Sequence, residues 1–133
     1  MKKNIKKNIL AILFCIVFSQ INAQTNLSCS SVEYCTENPK TQVHDKCNEV
    51  NQKSLFKINK DETIITHITE DLKSIYYVKT KEYDAELKFF TYVVNAEEGS
   101  EFEIIVSKSL IIVQAPEKRN ELTKFHIQKI WFD

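Results

Sequence analysis

The chain has 133 residues, 18 basic and 18 acidic, with 43% apolar residues and a single glycine. One domain is the ceiling for this length, and the apolar content suffices for a real core. The charge balance offers no basic stripe to track phosphates, so a nucleic-acid partner is not expected.

Residues 1–23 read as a cleavable export signal. Lys2, Lys3, Lys6 and Lys7 precede an apolar run at 9–18 (ILAILFCIVF), and a short polar exit ends on the small Ala23. As a helix, a run of this length spans roughly 15 Å, about half of a hydrocarbon core, so no permanent membrane anchor is expected. Cys15 lies inside the run and Cys29 well beyond it, and neither fits a lipid-anchor signal. Cleavage removes four lysines and leaves 14 basic against 18 acidic residues, a net charge of −4. The expected location is a periplasm or the outside of the cell.

Residues 24–53 are polar, rich in Ser, Thr, Asn and Gln, with Asn38-Pro39 as a turn signal. They are expected to form an irregular, cysteine-containing segment that packs onto the domain or hangs from it, with at most one short helix around 42–52. Export permits cysteine oxidation. Any pair among Cys29, Cys35 and Cys47 could then bridge, leaving one thiol over. Cys35, His44 and Cys47 also form a C-x8-H-x2-C pattern. Regular zinc sites have two close-spaced ligand pairs, and only one half resembles such a pair here. No metal and no cofactor are expected.

Residues 54–133 carry short apolar runs at 55–58, 63–68, 74–83, 87–94, 102–106, 110–113 and 125–132, divided by polar turn signals. The turn at 107–109 marks a hairpin. The last run reads as a strand, with a helix as the competing reading. Six or seven strands with short connections predict an antiparallel meander, because parallel pairs need long crossovers. In 87–94, Leu87, Phe89 and Val93 point one way and Phe90, Tyr92 and Val94 the other. Apolar residues on both faces predict closure or strong curvature into a barrel or sandwich. That architecture resembles small exported barrels of the lipocalin kind at the level of fold only. The chain lacks their G-x-W start, since its one tryptophan is Trp131.

The leading catalytic and phosphate-binding motifs are absent. His67 lies near Glu70 and Asp71, a neighbourhood suited to a general base. Without a nucleophile motif, it is expected to be a structural strand histidine, exposed or hydrogen-bonded. His126, alternating with Phe125 and Ile127, is expected to be structural too. Glu101 and Glu103 share one strand face and read as a solvated edge that discourages aggregation. Tyr76, Tyr77, Phe90 and Tyr92 fall on neighbouring strands and form the candidate ligand or partner surface. The expected function is that of an exported, non-catalytic β-domain binding a protein partner or a small apolar ligand. The alternative is a small periplasmic inhibitor of a secreted hydrolase, acting through loop 95–100 or loop 115–121.

Overall fold

A computed structural model describes residues 24–115 and 121–129. The expected leader lies outside the described residues, as do Trp131, Phe132 and residues 116–120.

The strands in chain order are β1 (Thr25–Asn38), β2 (Val43–Val50), β3 (Ser54–Ile58), β4 (Ile64–Ile68), β5 (Lys73–Asp84), β6 (Phe89–Ala96), β7 (Glu101–Val106), β8 (Leu110–Gln114) and β9 (Glu121–Lys129). From β3 onward each strand pairs antiparallel with the next, and β1 pairs with both β3 and β9. Eight strands therefore close into a barrel, and β2 pairs with β1 alone as a ninth. The expected antiparallel, all-β, closed architecture is present, and the last run is a strand through Lys129, its remainder lying outside the described residues. The described strands number nine, against the six or seven expected.

The difference lies in residues 24–53, which form β1 and β2 instead of an irregular segment or a helix. β1 puts Leu27 and Cys29 into the core, then shifts register between Cys29 and Ser31. That bulge turns Val32, directly opposite Phe125, inward. The extra residue breaks the period-two pattern by which a strand is recognised. β1 is also the seam of the barrel. Its first half pairs with β3, its second half with β2, and β9 runs along its other edge.

Alternate connections of a meander emerge at the same end. The turns at 59–63, 85–88 and 107–109 share one end with the start of β1, here termed the mouth. The turns at 69–72 and 97–100 share the other end with the β1–β2 ribbon. Between the ends, Leu27, Val32, Phe56, Ile65, Tyr92, Val94, Ile104, Ile111 and Phe125 fill the barrel as one cluster. A barrel of about eight strands is just wide enough to be filled by side chains or to hold one small ligand. Here its middle is filled. Closure buries inner-face residues of every barrel strand but β5, while the outward Phe89, Val93, Ile105, Leu110 and Ile112 stay half-buried.

Candidate functional site

A cavity of about 360 Å³ opens at the mouth between the β5–β6 and β7–β8 connections. It is lined by Tyr83, Lys88, Phe90, Val106, Ser107 and Lys108. The register of β5 explains why Tyr83 is there. A bulge between Val78 and Thr80 reverses the alternation. Tyr76 and Val78 pack against the core above it, and Lys81 and Tyr83 turn inward below it. The Tyr83 ring lies 4.6 Å from that of Phe90, its cross-strand partner. β4 begins at Ile64, opposite Tyr77, so the lower half of the β5–β6 hairpin runs past it as a lip.

Two short turns set the lysines. Asp84 accepts the N–H groups of Glu86 and Leu87 at 3.0 and 2.9 Å, closing the turn that ends at Lys88. Lys88 has φ 54°, the left-handed region that L side chains adopt sparingly. Across the opening, the Ser107 hydroxyl donates to Leu110 O at 3.0 Å and holds the turn bearing Lys108.

A polar network lies at the same end of the barrel. Asn59 Oδ1 accepts from Thr63 N–H at 2.8 Å and Ile64 N–H at 3.0 Å, which ties the β3–β4 turn. This turn holds Glu62 at φ 55° with its carboxylate toward the barrel. Tyr92 donates its hydroxyl to Glu62 Oε1 at 3.1 Å, and Lys81 forms an ion pair with Glu62 Oε2. The Lys81 ammonium also lies 4.5 Å from the centre of the Phe90 ring, within cation–π range. Burial, and then the Glu62 charge, push the Tyr92 phenol above its usual range.

The four aromatic residues singled out in the sequence do not form one surface. Only Phe90 lines the mouth cavity. Tyr92 is 2% exposed and belongs to the core, because it shares the inner face with Phe90 and Val94. Tyr77 is 49% exposed on the outside of the barrel. Tyr76 lies at the ribbon end, edge-on to Phe102 at 5.8 Å, beside a cavity of about 130 Å³ that Glu97 and Glu98 also line. Lys88, Lys108 and Glu62 were not singled out in the sequence. Lys108 lies in a predicted turn, which a meander puts at the mouth, whereas Lys88 falls inside the apolar run 87–94 and carries no such signal.

Cys35 and Cys47 face each other across the β1–β2 ladder and are disulfide-bonded, with Cα atoms 4.0 Å apart. This selects one of the three pairings. Cys29 keeps its thiol, buried in the core, where desolvation pushes its pKa up to about 12. Both sulfurs of the candidate metal pattern are joined in the disulfide, so neither presents a thiolate, and His44 sits beside them in β2. On the same outer face, Glu33 places Oε1 3.6 Å from Cys35 Sγ and Oε2 3.2 Å from His126 Nε2. The disulfide is compatible with an oxidising, exported compartment.

His67 differs from its expected exposed or hydrogen-bonded state. Its ring lies inside the barrel, stacked on Phe56 at 4.2 Å and edge-on to Phe125 at 4.8 Å. Its Nε2 is buried without a hydrogen-bond partner among the described residues. Desolvation lowers its pKa to about 4, so the ring is neutral at pH 7. On β7, Glu101 pairs with Lys79 at 2.8 Å and Glu103 accepts from Gln114. In the candidate loop 95–100, Asn95 and Ala96 belong to β6, and Gly99 N–H to Ala96 O (2.9 Å) makes the remainder a tight turn.

The fold and site together define an eight-stranded antiparallel barrel with a disulfide-tied ribbon at one end and an apolar, lysine-flanked cavity at the other. Comparison of the chain with known protein families, with curated proteins and with solved structures returns no match.

Proposed function

We propose that this protein is an exported, non-catalytic binding domain that takes one small, largely apolar ligand in the mouth cavity. The observation that carries this reading is the cavity itself, whose walls are the Tyr83 and Phe90 rings and Val106. Its volume of about 360 Å³ falls within the ~300–1,000 Å³ range of small-ligand sites. An apolar body gains from leaving water against such walls, and a site set on barrel strands is formed before the ligand arrives.

Export is supported by the lysine-led apolar leader in the sequence and by the disulfide, which persists best outside a reducing cytosol. Titration with the neutral dye N-phenyl-1-naphthylamine tests the binding role. One saturable site per chain is expected, weakened by Tyr83→Ala, a change at a half-exposed ring that leaves the core intact. Absence of saturable binding to the folded protein, or indifference to Tyr83→Ala, overturns the reading.

A further inference from the structure

We infer that the ligand of the mouth cavity is an anionic amphiphile, with an apolar body against Tyr83, Phe90 and Val106 and a carboxylate-type head between Lys88 and Lys108. This rests on the reading of the cavity as a ligand site and names the chemistry of its occupant.

Three observations carry it. First, the cavity is lined by two lysines and no acidic residue. Lys81 is neutralised by Glu62, whereas Lys88 and Lys108 make no ion pair among the described residues. Glu86, the carboxylate nearest in sequence to Lys88, makes no ion pair with it among the described residues, and Asp84 is engaged with backbone N–H groups of its own turn. The lining is therefore positive, and the neighbouring Lys81–Glu62 pair is internally neutral.

Second, Lys88 holds a left-handed backbone conformation that glycine would adopt without strain. A lysine at such a position supplies a side chain at the cavity edge at some cost in stability.

Third, the two ends of the barrel differ in charge. The ribbon-end cavity is lined by Glu97 and Glu98 with Lys73. The mouth turns at 59–63, 85–88 and 107–109 balance Lys60, Lys88 and Lys108 against Asp61, Glu62 and Glu86. Those at 69–72 and 97–100 carry Glu70, Asp71, Glu97 and Glu98 and no cation, so an anion is turned away from the opposite end. The apolar walls and the cations lie side by side in one opening, which suits a ligand with both characters. A neutral apolar ligand would leave the lysines without use, and a small inorganic anion would leave the rings without use.

The test compares decanoate, decanol and decyltrimethylammonium by calorimetric titration of the folded, disulfide-intact protein. Decanoate is expected to bind roughly tenfold or more tighter than decanol, as one charge-assisted contact implies, and the cation more weakly than either. Lys88→Gln with Lys108→Gln should erase that preference, so that decanoate and decanol bind the same variant with similar affinity. Lys88→Gly should weaken decanoate binding while raising the melting temperature, which separates loss of the cation from loss of the fold. If decanol binds as tightly as decanoate, or the cation binds best, the anionic head is overturned and the apolar cavity stands. If none of the three binds, the cavity reading falls with it.

Discussion

Tyr92 and Glu62 are joined across the barrel interior by a hydrogen bond of 3.1 Å, although 30 residues separate them in sequence. The bond links the core residue of β6 to the turn between β3 and β4, and through Lys81 to β5. Tyr92→Phe removes the donor but leaves Glu62 with Lys81, and should cost about 1 kcal/mol. Glu62→Ala leaves the phenol without its acceptor and should cost more, ~1–3 kcal/mol. Urea unfolding of both variants checks the order. Variants as stable as the wild type would show that the contact contributes nothing to the fold.

The Cys35–Cys47 bridge closes a 12-residue separation within the ribbon, away from the barrel core. Loop-closure entropy for such a span amounts to about 3 kcal/mol. Because β2 pairs with β1 alone, its loss should act locally. Hydrogen exchange after Cys47→Ala should speed up in β2 while β6 and β7 keep their protection. Uniform loss of protection would place the bridge in the global folding unit instead.

Cys29, with its thiol buried and its pKa pushed up to about 12, should resist alkylation in the native protein. Labelling should appear only on unfolding, so its rate reports the opening of the β1 seam. Rapid labelling of the folded protein would contradict the burial of that strand.

The His67 ring carries a pH dependence of known sign. Folding lowers its pKa from 6.5 to about 4 by desolvation, with Phe56 and Phe125 packed against the ring. Above pH 6.5 the ring is neutral folded or unfolded, and its contribution is fully present. Between pH 6.5 and about 4 only the unfolded chain takes up the proton, so stability falls as pH falls. His67→Phe should flatten this part of the stability profile. An unchanged acid slope in that variant would assign the dependence to other groups.

Much of the barrel is legible in the sequence, and the reasons differ by strand. β6, β7 and β8 are apolar runs with Ser107-Lys108-Ser109 between the last two, and the runs lie within about two residues of the strand bounds. β1 and β2 were missed for physical causes. β1 buries Leu27, Cys29 and Val32 across a bulge that hides their alternation, and β2 buries almost nothing, so no apolar pattern marks it. The disulfide pairing needed the register that sets Cys35 opposite Cys47. The cavity is still less local. Lys88 and Lys108 lie 20 residues apart, one inside an apolar run and the other in an ordinary polar turn, and only closure of the meander brings them to one opening.

The most direct test of the central claim, a preformed ligand site at the mouth of a closed barrel, is amide chemical-shift mapping during titration with decanol. The account predicts that saturable shifts cluster at residues 83–90 and 106–108, with the ribbon and the turn at 97–100 unmoved. Shifts centred on the Glu97–Glu98 end, shifts scattered over the outer face, or no saturable shifts at all would contradict it.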